Sequence, residues 1–219
     1  MKYSKLSDYR IKKILRCFSD ELTAVQTSKQ LSLNRNTVDR HYAIFREKIF
    51  IHQMTQMTKL RGHIEIDEAY FGSRHRGDPR GRSTKAKIPV VGLLKRNGQV
   101  YTEVIPDASK RSLMPVIARL VQKSKSNLYT DQWRSYDGLV VSGYKHRRIN
   151  HSKEFARSHN HINGIESFWS YVKRKMRKHN GIPRKKFELY LKEAEFRFNH
   201  RNEKLFPILE KLILKSKIS

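Results

Sequence analysis

Residues 63–72, HIEIDEAYFG, alternate so that Ile64 and Ile66 face one side of an extended strand while His63, Glu65 and Asp67 face the other, and Gly72 ends the run. Glu65, Asp67 and Glu68 gather in this strand although the chain carries 47 Lys+Arg against 20 Asp+Glu, a formal charge of +27. A charge of that size does not suit an enzyme of small metabolites; it needs a polyanion. Nucleic acid is the first candidate, because neutralising phosphates releases counterions and gives strong, salt-dependent binding. A membrane surface is the alternative, but no run approaches the roughly 18 apolar residues of a spanning helix, and the start MKYSKLSDYR lacks a signal peptide's apolar stretch. The expectation is a soluble, cytoplasmic protein with no membrane partner. Cys17 is the only cysteine of the 219 residues, which excludes an internal disulfide and a Cys-rich zinc ribbon.

The elements after the first strand follow a definite order. A basic loop, SRHRGDPRGRSTKAK, leads to IPVVGLL, a turn at KRNGQ with an Asn-Gly hairpin signal, and VYTEVIP, which together predict an antiparallel meander. SKRSLMPVIARLVQKSKS then reads as an amphipathic helix through Leu113, Val116, Ile117, Leu120 and Val121. NLYTDQW is the fourth strand, with Asp131 at its C-terminal end, where a parallel neighbour of the first strand sets a second carboxylate beside Asp67. YKHRRIN is a further short strand. A late helix from about Asn163 to Lys178 has an apolar face of Ile165, Phe168, Trp169, Val172 and Met176. Glu166 and Lys173 are 173 − 166 = 7 positions apart, two turns, and so share a face. Acids on the first and fourth strands and on a late helix, in this succession, give an α/β fold class: a ribonuclease-H-like mixed sheet flanked by helices.

A small all-α module precedes it. In SDYRIKKILRCF, Tyr9, Ile11, Ile14, Leu15 and Phe18 recur at helical spacing, with Ser7 placed to cap the start. A short helix from about Thr23 to Leu31, a break at SLN and a longer helix from about Arg35 to Ile49 make a helix-turn-helix pattern, packed by Ala24, Val25, Leu31, Leu33 and Val38. Arg35, Asn36, Thr37, Asp39 and Arg40 then occupy the outer face of a recognition helix. The competing reading is a helical cap that only packs on the next domain; the charge favours DNA binding. The division by sequence is 1–57 for the helix-turn-helix module, 58–205 for the catalytic domain and 206–219 for a tail that docks or mediates a subunit contact.

The residues DEAYFG, YTDQWRSY and NGIESFWSYVKRKM, continuing to LKEAEFRFNHR, resemble the DDE transposases of bacterial insertion sequences, in the retroviral-integrase superfamily and its ISXO2-like branch. The resemblance spans roughly residues 60 to 202. It implies Asp67, Asp131 and Glu166 as catalytic, metal-binding acids, with Lys173 contacting the terminal DNA. Some relatives use Asn or His as the third ligand, and Asn163 and His161 lie close in sequence to Glu166. It implies further a protein that binds the terminal inverted repeats of its element, cleaves the strand and joins the freed end to target DNA, as a dimer or higher oligomer on paired ends. Members of the branch often carry a zinc ribbon, which this cysteine count forbids.

The chemistry asks for such a constellation on its own account. Phosphodiester cleavage needs an activated hydroxyl and a stabilised leaving oxygen, and two Mg2+ (or Mn2+) ions about 3.5–4 Å apart supply both. Carboxylates suit Mg2+ better than histidine does, so His159 and His161 read as phosphate contacts or surface residues. Each acid alone is more often a solvated strand face, a helix cap or ordinary helix surface charge; it is their order that favours catalysis. Arg174 and Arg177, in the run KRKMRKHNGIPRKK, extend a backbone-tracking DNA surface from Lys173. Phe168 and Trp169 read as core; Trp133 is open between core and base stacking. Two rival functions remain: a DNA-binding regulator whose catalytic-like domain is inactive, and a nuclease of the same fold that cuts without joining.

Overall fold

The computed structural model describes residues 6–72, 87–131, 139–140, 142–149, 163–179 and 181–215. The basic loop expected over residues 73–87, apart from Lys87, lies outside this description, as do Trp133, His159 and His161. In chain order the elements are α1 (Asp8–Ser19), α2 (Ala24–Leu31), α3 (Arg35–Thr55), β1 (Leu60–Phe71), β2 (Ile88–Lys95), β3 (Val100–Val104), α4 (Lys110–Leu120), β4 (Val121–Asp131) and β5 (Lys145–Ile149). Three further helices follow: α5 (Asn163–Arg177), α6 (Phe187–Asn199) and α7 (Leu205–Glu210). Packing divides the chain into residues 57–173 and a discontinuous unit of residues 1–56 with 174–219.

In the helical unit, Ile11, Ile14, Leu15 and Phe18 of α1 and Val38, Tyr42, Phe45 and Ile49 of α3 share one core with Phe196, Phe206, Leu209 and Ile213. Thr23 and Gln26 form a reciprocal capping box at the start of α2. Ser32 turns the chain in the left-handed region (φ 50°), and the Asn34 side chain accepts the Asn36 N–H to start α3. Ser7 holds the N-cap position of α1 but makes no side-chain cap bond. Tyr9 and Val25, expected to pack, are 66% and 41% exposed. The spacing of Tyr9 matches the stripe, but its ring stays outside the core and Lys13 covers it instead.

The larger departure concerns α6, for which the pattern predicts a stripe of Phe187, Tyr190, Leu191, Ala194 and Phe198. Tyr190 and Phe198 are half-buried, whereas Lys192, Glu193, Glu195 and Arg197 are buried with the apolar residues. Periodicity counts these as polar, but inside the unit they neutralise one another. Glu193 takes Arg46 Nε at 2.6 Å and Arg197 Nε at 2.9 Å, and Glu195 takes Lys192 Nζ at 2.8 Å and Gln53 Nε2 at 2.7 Å. The division by sequence into 1–57, 58–205 and 206–219 assumes contiguous segments; by packing, α6 and the tail close the core of the N-terminal helices.

The other unit is built on a five-stranded mixed sheet of order β3-β2-β1-β4-β5. β2 runs antiparallel to both β1 and β3, while β4 is parallel to β1 and β5 parallel to β4. That is the ribonuclease-H-like arrangement. At the β2–β3 turn Asn97 takes a left-handed φ of 55° before Gly98, and the Gly98 N–H closes on the Lys95 carbonyl at 2.9 Å. Ile64 and Ile66 of β1 join Leu93, Leu113, Val116, Ile117, Leu120 and Leu128 in the core beneath α4. The helix expected through Ser126 stops at Leu120: Val121 is already extended and pairs with Leu60, so β4 begins six residues earlier than the pattern suggests. A β-branched residue entering a sheet gains a ladder that the polar run QKSKS cannot replace with helix packing.

Candidate active site

The face of β1 opposite Ile64 and Ile66 carries Glu65 and Asp67. On the β4 side, Glu65 is level with Tyr129, an offset of 129 − 65 = 64. That is the last pair of this ladder, and Asp67 and Asp131 each lie two residues beyond it, 131 − 67 = 64. On the β2 side Asp67 faces Gly92.

Gly92 decides how α5 reaches this face. A Cβ there would lie 2.5 Å from Trp169 Cζ2 and 3.0 Å from Ile165 Cδ1, so only a glycine lets the indole rest on the sheet directly opposite Asp67. Trp169 is 3% exposed and stacks edge-on to Phe71 at 6.0 Å. Its indole N–H is buried and falls short of a hydrogen bond in this conformation, yet it acts on the Asp67 carboxyl. Gly164 permits a second close approach: a Cβ at that position would sit 2.8 Å from Glu65 Oε2 and 2.7 Å from Leu94 Cδ2.

Electrostatics mark Asp67 out from the other acids. Burial pushes its carboxyl up to about 6; the Glu68 backbone N–H opposes this, the charges of Glu166 and Asp131 add to it, and the Trp169 indole pulls down. Asp131 and Glu166 therefore both lie within reach of the Asp67 carboxyl, Glu166 exposed on the first turn of α5 and the two aspartates half-buried. Among the described residues no three His, Cys, Asp or Glu side chains are drawn tightly enough together to enclose a metal ion. The donor chemistry nonetheless fits a hard divalent cation: all three are carboxylates, and a cation would relieve the mutual repulsion that raises Asp67.

Asn163, the first residue of α5, is exposed; His161 lies outside the described residues. Lys173, Arg174 and Arg177 are exposed on α5, Lys173 two turns from Glu166. Lys175 is directed otherwise, to Glu21. In the helical unit Arg35, Asn36 and Arg40 are exposed on α3 and Thr37 is half-buried; Arg35 pairs with Asp39 at 3.4 Å. Sequence reading missed Arg96, Gly92 and Gly164, and it took Trp169 for plain core.

Residues 59–199 match the family model described as the ISXO2-like transposase domain. The chain belongs to the ISXO2-like transposase family. A transposase-like protein of Haemophilus influenzae is 51% identical over 116 residues, covering 52% of this chain and 94% of the relative. A protein of the transposable element ISH50 of Halobacterium salinarum is 31% identical over 155 residues, covering 63% of this chain and 52% of its own length. Among solved structures, the Mos1 mariner paired-end complex with Mn aligns with 97% of this ISXO2-like chain and 79% of its own. Its TM-score of 0.36 and identity of 14% are too loose an overlap to bear on the site. No helix among the described residues is long and apolar enough to cross a membrane.

Proposed function

We propose that this transposase binds the terminal inverted repeats of its own insertion sequence, hydrolyses a strand at each end and joins the freed 3′-hydroxyl to target DNA. The observation that carries the reading is Asp67, an acid held by burial beside two further acids, Glu166 and Asp131, whose charges act on it, in a chain of charge +27. Elsewhere in the chain, Glu193 and Glu65 meet arginines. A divalent cation site requires carboxylate oxygens brought together in this way.

In this reading Asp67, Asp131 and Glu166 would hold Mg2+ or Mn2+, the resident metal of the family. When bound, the ions supply activation of the attacking hydroxyl and charge stabilisation at the leaving oxygen. The protein's own groups do the remainder. The Glu68 backbone N–H orients the Asp67 carboxylate, and the seating of α5 against Gly92 keeps Glu166 at the end of the sheet. Lys173, Arg174 and Arg177 hold the phosphate backbone beside the acids. Arg35, Asn36, Thr37 and Arg40 read the terminal repeat from α3, with Thr37 turned partly inward. A dimer or higher assembly pairs the two ends.

The test incubates the full chain with Mg2+, DNA carrying its element's end and a target plasmid, comparing wild type with Glu166→Gln. Joined product from wild type alone supports the proposal. Cleavage without joining would make the protein a nuclease, and binding without chemistry in either protein would make it a regulator.

A further inference from the structure

Glu65 is the fourth acid of this face and is 1% exposed. Both its oxygens are engaged: Arg96 Nε donates to Oε1 at 2.9 Å, and the backbone N–H of Ile165 donates to Oε2 at 2.9 Å. The Arg96 guanidinium in turn lies 3.9 Å from the centre of the Tyr129 ring, whose hydroxyl meets His63 Nδ1 at 2.8 Å. Three members of this chain of contacts each fall close in sequence to one of the three acids. Glu65 is two residues before Asp67 on the same face of β1, Tyr129 two residues before Asp131 on β4, and Ile165 one residue before Glu166 on α5.

We infer that Glu65 is a positioning residue: with Arg96 it ties β1, β4 and the first turn of α5 into one frame that sets Asp67, Asp131 and Glu166 relative to one another. The physical reasons are specific. A carboxylate accepting a first-turn N–H satisfies a donor that the helix itself cannot, and it lies at the positive end of the helix dipole. With Arg96 on its other oxygen the buried charge is compensated, so Glu65 is not available as a metal ligand. Gly164 belongs to the same device, since any side chain there would displace Glu65 Oε2. Removing such supporting contacts from a metal site typically costs about 10–100-fold in metal affinity.

The proposal rests on the acid-site reading above, and Mn2+ alone, titrated into the full chain without DNA, separates the two. Glu65→Ala is expected to weaken Mn2+ binding by about 10–100-fold and to speed hydrogen exchange at the Ile165 amide beyond that of its helical neighbours. Glu65→Gln keeps an acceptor for Ile165 and is expected to hold that amide protected with a smaller loss of Mn2+ affinity. Should Glu65→Ala not fold, Arg96→Met removes the guanidinium from Glu65 Oε1 and from the Tyr129 ring but leaves Oε2 on the Ile165 amide, and is expected to weaken Mn2+ by about tenfold with Ile165 still protected. Equal loss of one bound Mn2+ in the Gln and Ala variants would make Glu65 a ligand and overturn the proposal. Mn2+ binding that responds to Asp67→Asn but not to Glu65→Ala or Arg96→Met would overturn it alone; binding indifferent to Asp67→Asn would remove the acid site on which it stands.

Discussion

Gly92→Ala adds one methyl group at the point where α5 meets β1 and β2, and the structure sets the size of the disturbance. The new carbon would lie 2.5 Å from Trp169 Cζ2, 2.9 Å from Cη2 and 3.0 Å from Ile165 Cδ1, where ordinary contact begins at 3.4 Å. The indole must retreat by about 1 Å, and because Ile165 blocks the same position, the helix moves with it. Overpacking of this kind costs roughly 1–3 kcal/mol of stability. A displacement of about 1 Å at a catalytic group costs on the order of 10²-fold in rate. The expectation is a folded protein with a lowered Tm, near-normal DNA affinity and strand cleavage reduced about 100-fold. Thermal unfolding, a salt-series binding titration and single-turnover cleavage of element-end DNA measure the three. The double variant Gly92→Ala with Trp169→Leu makes room for the methyl and should be less destabilised than the sum of the singles, a coupling that a double-mutant cycle reads directly. A Gly92→Ala protein that cleaves at the wild-type rate, or a cycle with no coupling, would refute the claim that this glycine seats the helix beside Asp67.

Three further outcomes are expected. Asp67→Asn should abolish metal-dependent cleavage yet leave DNA affinity largely intact, and it should also stabilise the metal-free protein at pH 7. The sign follows from a folded carboxyl at about 6 against an ordinary 3.8: the native state holds the proton more tightly, so stability falls as pH rises through that window, and denaturant melts with EDTA from pH 3.5 to 7 would show this part of the slope lost in the variant. Glu193→Gln should cost about 3–5 kcal/mol at pH 7, because Arg46 and Arg197 lose their shared counter-ion. The two arginines hold Glu193 at about 2 against an ordinary 4.5 despite its burial, so its contribution is present above 4.5 and lost as pH falls toward 2; wild type and variant should converge there in chemical denaturation. Arg40→Ala, exposed on α3, should leave Tm unchanged while lowering the slope of log affinity against log salt by about one, measured by fluorescence anisotropy.

The parts of the fold visible in the sequence are those where one period dominates. Ile64 and Ile66 against Glu65 and Asp67 announce β1, and Leu113, Val116, Ile117 and Leu120 announce α4, because each set faces a single apolar layer. The sheet order followed from where the acids fell along these elements. Periodicity failed on α6, where the buried face includes Glu193, Glu195 and Arg197, since a pattern of polar and apolar letters cannot express that two charges bury each other. It failed also at Val121, where helix and strand join without a loop and only the pairing with Leu60 tells them apart. Within the candidate site the acids were legible as residue types. The contacts that hold them were not: nothing in KRNGQ announces that Arg96 reaches back to Glu65, and Gly92 and Gly164 declare their purpose only when the side chains pressed against them are seen.

What separates the acids of this protein is the sign of their neighbours rather than their number. With 47 Lys+Arg against 20 Asp+Glu, an acid placed without further constraint meets a cation, and Glu21, Glu65, Glu103 and Glu193 each do. Such pairs lower the cost of burying charge and tie elements together, but a carboxylate whose lone pairs are filled by guanidinium has little left for a metal. Asp67 stands on the opposite footing. It is pressed by burial and by the charges of Glu166 and Asp131, at a cost that folding alone gives no reason to bear. The same strand carries both kinds two residues apart, Glu65 met by a guanidinium and Asp67 by the charges of two acids. If a cation resolves the second, adding Mn2+ should raise the Tm of wild type by more than that of Asp67→Asn, since a ligand stabilises the state that binds it. It should also leave the difference between wild type and Glu193→Gln unchanged, because that carboxylate already has its cations.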